Sequence, residues 1–130
     1  MKLLNLEIIH TKKAPEAIGP YSQAIIVGNF VFTSGQVPLN PETGEVVCTD
    51  VEGQAKQALE NVKNVLEAGG SDLNHVVKTT VYIQNMDDFG KINEIYASYF
   101  INVFPARSCV EVSKLPKGVL VEIEAIGILK

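Results

Sequence analysis

Several features that mark common protein classes are scarce or missing in this 130-residue chain. It has two cysteines, Cys48 and Cys109, and they form no CxxC pair. The segment Met1–Leu6 becomes polar too soon for a signal sequence, and this start together with isolated cysteines is typical of the reducing cytoplasm. No apolar run approaches the roughly 20 residues that a membrane-spanning helix needs. We therefore expect a cytoplasmic protein without a membrane anchor.

Sequence signals for nucleotide, metal and nucleic-acid binding are also lacking. There is no P-loop, no GxGxxG loop and no nucleophile elbow. The two histidines, His10 and His75, are far apart at predicted strand or loop edges, so we expect surface or capping roles and no metal site. The net charge of −4 and the pI of about 5.1 argue against broad electrostatic binding to nucleic acid, while leaving room for a local basic patch.

The residues that are present indicate one ordinary globular domain. Hydrophobic residues make up 46% and charged residues 20% of the chain, and this balance with this length is enough to bury a core. No repeat, low-complexity tract or linker divides the sequence. We predict a single domain that spans residues 1–130.

The hydrophobic pattern of the first half predicts strands. Leu6–His10 has the pattern of a short strand. Ala24–Val27 and Phe30–Thr33 flank a Gly28-Asn29 turn, which is a strong hairpin signal. Glu45–Val47 is a candidate for a short return strand.

An apolar stripe at helical spacing predicts a first helix that stops at Gly69-Gly70. Thr49 and Glu52 have the spacing of a capping box, and Asp50 is the alternative N-cap. Val76–Gln84 then predicts a strand, because it is rich in β-branched residues.

The last third of the chain predicts a second helix and two strands. Asn85 or Asp87 caps the helix, which covers about residues 88–101, and Pro105 bars its continuation. The two closing strands are predicted to form a hairpin that turns at Leu115–Gly118.

Two amphipathic helices can cover one face of a mixed sheet, which predicts an α+β two-layer sandwich. Both faces of the last strand nevertheless carry apolar side chains: Val119, Val121 and Ile123 on one, and Leu120, Ile126 and Ile128 on the other. Because two helices cannot cover both faces, we predict that the bare face is buried in a homo-oligomer.

Arg107, the only arginine, opens the first closing strand, and Glu122 and Glu124 lie two apart in the second. Because side chains alternate along a strand, both glutamates are predicted to point to one face, beside the arginine. Arg107 either clamps a substrate carboxylate through its planar fork or forms a structural ion pair with Glu111, Glu122 or Glu124. Glu122 is either a general acid or base with a raised pKa or part of an exposed strand face.

Five further residues fall where pocket walls are expected. Cys109 is either a nucleophile or, as its neighbours favour, a buried small residue whose backbone lines a site. Tyr21 is presented by a rigid glycine-proline loop, and Ser34 and Gly35 end a strand, although ordinary loop chemistry also accounts for them. Asn93 is a poor interior helix residue that either binds a ligand or faces water.

Blocks of sequence along nearly the whole chain resemble the Rid (reactive intermediate deaminase) family, also called the YjgF or endoribonuclease L-PSP family. The blocks are residues 17–23 (AIGPYSQ), 33–38 (TSGQVP), 77–82 (VKTTVY), 93–96 (NEIY), 105–112 (PARSCVEV), and 115–117 (LPK) with 121–125 (VEIEA). The pattern most resembles the RidA subgroup, because its arginine, its cysteine and its first glutamate are all present. The segment Tyr99–Phe104 is shorter than in many relatives, which is expected to reshape the rim of the site and alter its substrate range.

The resemblance implies a chorismate-mutase-like α+β fold, assembled as a homotrimer with a central β-barrel and three clefts between subunits. It implies hydrolysis of 2-aminoacrylate, 2-iminopropanoate and 2-iminobutanoate to 2-keto acids and ammonia, without a cofactor. Such enamines and imines are released by pyridoxal-phosphate enzymes. Two other functions stay open: a regulatory protein that binds a small carboxylate, and a translation inhibitor or ribonuclease, against which the acidic balance and the lack of a catalytic histidine pair weigh.

Residue by residue, the resemblance implies that Arg107 clamps the substrate carboxylate and that Glu122 positions or activates the attacking water. Cys109 matches a position whose backbone contacts the substrate and whose thiol is not essential. Four more positions match pocket residues: Tyr21, Ser34, Gly35 and Asn93. Of these, Tyr21 and Asn93 are implied to reach the cleft from a neighbouring subunit.

Overall fold

The structure of the chain is a computed structural model that describes residues 5–130. Residues 1–4, most of the segment weighed above as a signal sequence, lie outside the described residues. The strands and helices are, in chain order, β1 (Leu6–Ile9), β2 (Ala24–Val27), β3 (Phe30–Thr33), α1 (Val51–Ala68), β4 (Val76–Ile83), α2 (Phe89–Tyr99), β5 (Ala106–Glu111) and β6 (Val121–Ile128). None of the helices within residues 5–130 is both long and apolar enough to cross a bilayer.

These strands form one mixed sheet in the order β1-β2-β3-β6-β4-β5. β4 and β5 run parallel, whereas every other neighbouring pair is antiparallel. α1 and α2 pack against each other and share one hydrophobic core with the same face of the sheet. The predicted α+β two-layer sandwich, with two helices on one face of a mixed sheet, is confirmed.

The strand register determines which side chains face the helices, because paired residues share a face and successive residues alternate. We call the covered side the helix face. Its central side chains are almost fully buried: Val31, Thr79, Val81, Ile83, Val121, Ile123 and Ala125.

The opposite side of the sheet, which we call the open face, has an apolar half and a polar half. The apolar half lies on β1, β2, β3 and the end of β6, and consists of Leu6, Ile8, Ile25, Val27, Phe30, Phe32, Ile126 and Ile128. The polar half is carried by β4, β5 and the start of β6, and includes Lys78, Thr80, Tyr82, Ser108, Glu122 and Glu124. In the single chain Ile8 is 68% and Phe30 45% exposed, so this face has the character of a surface that a partner covers.

Local signals predicted the first half of the chain well. β2 and β3 form the expected hairpin, and Gly28 in its turn has a φ of +58°. α1 begins with the Asp50 carboxylate, which accepts a hydrogen bond from the Gly53 N–H at 2.8 Å, so Asp50 rather than Thr49 is the N-cap. The helix ends at Gly69, as predicted.

Three other boundaries differ from the predictions. Asn85 caps a short 3-10 turn, Met86–Asp88, which precedes α2, and α2 ends at Tyr99, two residues early. Glu45–Val47 forms no strand: Val46 makes a single isolated bridge to Leu39, and this bridge is not extended into a ladder of paired residues.

The predicted C-terminal hairpin is wrong. β5 pairs with β4 in parallel, and β6 lies between β3 and β4, so β5 and β6 are not neighbours. The physical reason is α2, which carries the chain back along the helix face so that β5 starts at the same end as β4, as in a strand-helix-strand unit. The segment Leu115–Gly118 is therefore part of a connection across β4 rather than a hairpin turn.

Candidate active site

The predicted site residues divide between two cavities. Arg107 and Asn93 line the first, of about 410 Å³, together with Tyr96, Ala97, Phe104 and Pro105. The second, of about 520 Å³, includes Tyr21, Ser34, Gly35 and Glu122 in its wall. Among the described residues of the predicted set, Cys109 lines neither cavity. We refer to these as the Arg107 cavity and the Glu122 cavity.

The sheet register explains why the two charged residues are apart. Arg107 pairs with Thr79 of β4, whereas Glu122 pairs with Tyr82, three residues further along the same strand. An odd offset places the two side chains on opposite faces, with Arg107 on the helix face and Glu122 on the open face. The expectation that Arg107 lies beside Glu122 and Glu124 is therefore wrong within one chain, although the two glutamates do share a face.

The guanidinium of Arg107 is held by three side chains of α2. Its Nη1 donates a hydrogen bond to Asn93 Oδ1 at 2.7 Å. Its central carbon lies 4.8 Å from the centre of the Tyr96 ring and 5.3 Å from that of Phe89. Because Phe89, Asn93 and Tyr96 are spaced by four and three residues, they lie on one side of the helix.

No ion pair compensates the Arg107 charge within residues 5–130. The predicted alternative, a pair with Glu111, Glu122 or Glu124, is not formed in that part of the chain. Glu111 instead accepts a hydrogen bond from the Met86 N–H at 2.8 Å. A guanidinium without an anionic partner, at the wall of a cavity, is suited to bind a carboxylate with two parallel hydrogen bonds.

Glu122 packs directly against the backbone of Gly35. A Cβ added to Gly35 would lie 2.8 Å from Glu122 Cδ, closer than Cβ atoms approach other atoms, and 3.1 Å from Cγ. The backbones of Gln36 and Ile123 exchange two hydrogen bonds, of 2.7 and 3.0 Å, which hold this loop to β6. A side chain at position 35 would therefore displace the Glu122 carboxyl group.

The environment of Glu122 favours its protonated form. Burial, and secondly the neighbouring Glu124 carboxylate on the same face, raise the pKa of Glu122 above its usual value. Both causes penalise the negative charge. A carboxyl group whose pKa is closer to neutrality exchanges protons more readily with a reacting water, as a general acid or base requires.

The loop that carries Tyr21 is anchored by a buried amide that the sequence analysis did not single out. The Gln23 side chain accepts from the Thr11 N–H at 2.7 Å and donates to the Pro15 carbonyl at 2.8 Å. Tyr21 itself is 52% exposed, so its ring is available at the edge of the Glu122 cavity. Ser34 Oγ donates to the Ser22 carbonyl, which ties the wall of that cavity to the same loop.

Cys109 has the character of a packed thiol rather than a nucleophile. It lies partly buried on β5, where burial raises its pKa and the Arg107 charge offsets only part of that rise. A raised pKa keeps the sulfur protonated and unreactive near neutral pH. The alternative of a small buried residue is therefore favoured.

The histidines have local partners. His10 Nε2 lies 3.0 Å from Glu16, and His75 Nδ1 lies 2.6 Å from Asp72. Within residues 5–130 no group of three histidine, cysteine or acidic side chains is placed to hold a metal ion.

Sequence reasoning did not identify Phe89 and Tyr96 as site residues, because aromatic residues of an amphipathic helix are usually part of its core-facing side. Their spacing to Asn93 was a usable signal, since residues four and three apart share one side of a helix. It also missed Lys117, which lines the Glu122 cavity and adopts a left-handed backbone with a φ of +57°.

Comparison with known proteins places the whole site inside a matched region. Residues 11–129 match the sequence profile of the family described as endoribonuclease L-PSP. A RutC family protein of Pyrococcus abyssi is 58% identical over 121 residues, which are 93% of this chain and 95% of that protein. The 2-iminobutanoate/2-iminopropanoate deaminase of Escherichia coli strain K12 is 51% identical over 123 residues, 92% of this chain and 95% of that protein.

The same similarity extends to three dimensions. The crystal structure of Escherichia coli TdcF with bound serine matches with a TM-score of 0.91 at 47% sequence identity. The match covers 95% of this chain and 99% of that one. At this coverage the six-stranded sheet and both helices belong to the shared architecture.

Proposed function

The chain belongs to the endoribonuclease L-PSP family, and we propose that this member hydrolyses 2-imino acids and their enamine tautomers to 2-keto acids and ammonia. The substrates are 2-aminoacrylate, 2-iminopropanoate and 2-iminobutanoate. The observation that carries the proposal is the uncompensated Arg107 guanidinium, held in one orientation at a cavity wall. The relatives named as 2-iminobutanoate/2-iminopropanoate deaminases support the same reaction, at 50–51% identity.

Arg107 binds the substrate carboxylate, and Glu122 transfers protons between the attacking water and the substrate nitrogen. An imine carbon is already electrophilic, so a fixed substrate and a placed water suffice for addition. The Glu122 carboxylate takes a proton from the attacking water and passes it to the imine nitrogen, which gives the neutral carbinolamine. It then takes the proton of the carbinolamine hydroxyl and passes it to the amino group, so that the carbon–nitrogen bond breaks, ammonia leaves and the oxygen becomes the carbonyl of the keto acid. The enamine first takes up a proton at its terminal carbon to become the imine.

The remaining predicted residues shape this pocket. In our proposal Tyr21, Ser34 and Gly35 form the wall around Glu122, while Asn93 holds Arg107 and the Cys109 backbone contacts the substrate. No cofactor takes part in these steps.

The site is completed between subunits of a homotrimer. Two features support this assembly: the two charged residues line separate cavities in one chain, and half of the open face is exposed and apolar. Since Asn93 bonds to Arg107 of the same chain, a subunit that supplies one supplies both. In the proposed trimer the Arg107 cavity of one subunit meets the Glu122 cavity of the next, around a central barrel formed by the open faces.

A carboxylate-binding regulatory protein is the second candidate, since the structure of TdcF contains bound serine. A binding protein needs the arginine alone, whereas a hydrolase needs a proton carrier as well. Substitution of Glu122 by glutamine separates the two, because it removes the proton carrier and leaves the Arg107 clamp intact.

A coupled assay tests the proposal. Serine/threonine dehydratase generates the imine from serine or threonine, and semicarbazide captures the imine that is not hydrolysed. We expect the protein to lower the initial rate of semicarbazide-adduct formation and to speed release of the keto acid. Equal rates with and without the protein, at concentrations where it is trimeric, would rule out the deaminase function.

A further inference from the structure

The Tyr96 ring that contacts Arg107 is itself held in place by a hydrogen bond. Its hydroxyl group forms a 2.7 Å hydrogen bond with Thr79 Oγ1, and both residues are buried, with 4% and 1% of their surfaces exposed. Thr79 is also the residue of β4 that pairs with Arg107 across the parallel ladder. Thr79 is therefore linked to Arg107 in two ways: its backbone pairs with that of Arg107, and its hydroxyl group holds the Tyr96 ring that contacts the guanidinium.

This arrangement restrains the guanidinium in two directions. Asn93 binds one nitrogen at 2.7 Å and so limits rotation within the plane of the group. The Tyr96 ring lies 4.8 Å from the central carbon of the guanidinium, and cation–π attraction keeps the guanidinium against the face of this ring. The restraint matters because a flexible arginine loses side-chain entropy when it binds, whereas a preorganised one loses little.

We propose that Thr79 and Tyr96 are positioning residues for Arg107: the Thr79 hydroxyl fixes the Tyr96 ring, and the ring holds the guanidinium ready for a substrate carboxylate. The inference rests on the proposed function, since it assumes that Arg107 is the carboxylate clamp. Neither residue needs to touch the substrate. Their effect is on substrate affinity and leaves the proton chemistry at Glu122 unchanged.

A plain structural role for the Thr79–Tyr96 bond gives a different result from a positioning role. A buried hydrogen bond that only stabilises the fold changes the midpoint of thermal unfolding when it is lost, without changing affinity. A positioning bond changes KM and the inhibition constant of a carboxylate, while kcat for bound substrate stays nearly constant. The two readouts are measured on the same variants.

The experiment compares Thr79→Val with Thr79→Ser, and Tyr96→Phe with Tyr96→Leu, in the intact protein. The probe is pyruvate, a keto-acid product, as a competitive inhibitor in the coupled assay run without semicarbazide. Activity is followed by ammonia release from the imine made from threonine, because semicarbazide would also trap pyruvate. We expect Thr79→Val and Tyr96→Phe to raise KM and the pyruvate inhibition constant about threefold to tenfold, the size expected for the loss of one hydrogen bond between neutral groups. Thr79→Ser, which keeps the hydroxyl, should retain wild-type affinity.

The double variant and the ring deletion sharpen the test. Because both single variants break the same bond, Thr79→Val with Tyr96→Phe should weaken pyruvate binding no more than either alone. Tyr96→Leu should weaken it further, by about tenfold or more, since the ring contact is lost as well. In an Arg107→Ala background, Tyr96→Phe should no longer change the inhibition constant, because the cation that the ring holds is absent.

The outcomes separate this inference from the proposed function. If Arg107→Ala raises the pyruvate inhibition constant while the Thr79 and Tyr96 variants lower only the unfolding midpoint, the positioning role is refuted and the proposed function stands. If Arg107→Ala leaves pyruvate binding unchanged, the carboxylate binds elsewhere and both fail.

Discussion

The carboxyl group of Glu122 occupies the space that a side chain at Gly35 would fill. A Cβ at that position would lie 2.8 Å from Glu122 Cδ, and the loop cannot retreat easily because Gln36 is bonded to Ile123 on both sides. The contact joins a loop and a strand 87 residues apart in the chain. It makes the position of the proposed proton carrier depend on a glycine.

Substitution of that glycine should therefore impair chemistry more than stability. In Gly35→Ala the new methyl group displaces the flexible end of the Glu122 side chain, so we expect kcat to fall by at least about tenfold, with about 1 kcal/mol or less lost in the free energy of unfolding. The coupled assay and urea unfolding measure the two effects. Gly90→Ala is the matched control, because nothing lies within 4 Å of an added Cβ there, and it should keep full activity.

Removal of the guanidinium tests the carboxylate clamp. Arg107→Ala should lower kcat/KM by about 10- to 150-fold, since hydrogen bonds to charged groups contribute about 1.5–3 kcal/mol. Arg107→Lys keeps the charge without the planar fork and should recover only part of the loss. Lys56→Ala removes the same charge at an exposed site outside both cavities and should be neutral. Equal kcat/KM for Arg107→Ala and Lys56→Ala would contradict the clamp.

The pH dependence of activity should report the pair Glu122 and Glu124. Glu122 acts as a base only when ionised, so kcat/KM should rise with pH through its raised pKa, at a pH above the usual glutamate value of about 4.3. Glu124→Gln removes one of the two causes of the raised Glu122 pKa and should shift the rising part of the pH profile to lower pH. Burial, the larger cause, remains, so the shift should be incomplete. A rising part that does not move would show that the two carboxylates do not interact.

The same pKa makes a prediction for stability. Because the folded chain holds the Glu122 proton to a higher pH than the unfolded chain, the free energy of unfolding should fall as pH rises from about 4.3 to the folded pKa, and stay level above it. Glu122→Gln removes this contribution. Urea unfolding across that range should show a shallower decline for the variant than for the parent protein, and equal slopes would contradict the raised pKa.

The open face predicts an assembly that can be broken at one residue. Phe32 lies in its apolar half and is 41% exposed in the single chain. Light scattering at micromolar concentration should show three chains, and Phe32→Asp should give monomers, because an isolated carboxylate is costly to bury. Activity should fall with the fraction of trimer, since the proposed site is formed by two subunits. Val47→Asp changes an exposed apolar loop residue away from this face and should leave both unchanged.

The N-cap of α1 offers a test that is independent of function. Asp50→Ala should cost about 1 kcal/mol in the free energy of unfolding, the usual value for a lost cap, and Thr49→Ala should cost a few tenths at most. Chemical denaturation resolves this difference. The reverse order would restore the capping box that the sequence suggested.

Local features of the fold, and the faces on which the candidate glutamates lie, could be predicted from the sequence. The β2–β3 hairpin follows from Gly28-Asn29, which allows a positive φ, and the end of α1 follows from Gly69-Gly70. The shared face of Glu122 and Glu124 follows from the two-residue period of a strand. Each of these depends on neighbouring residues only, so the pattern contains all the information required.

Which strands meet depended on the tertiary structure. The partner of β5 is set by the α2 crossover and by the insertion of β6 beside β4. Neither can be read from the local hydrophobic pattern of the sequence. That pairing places Arg107 on the helix face, against Asn93 and Tyr96, and Glu122 on the other. The sequence by itself determined which residues are candidates for the chemistry, because residue type and spacing are local; the packing of distant segments decided which of them touch.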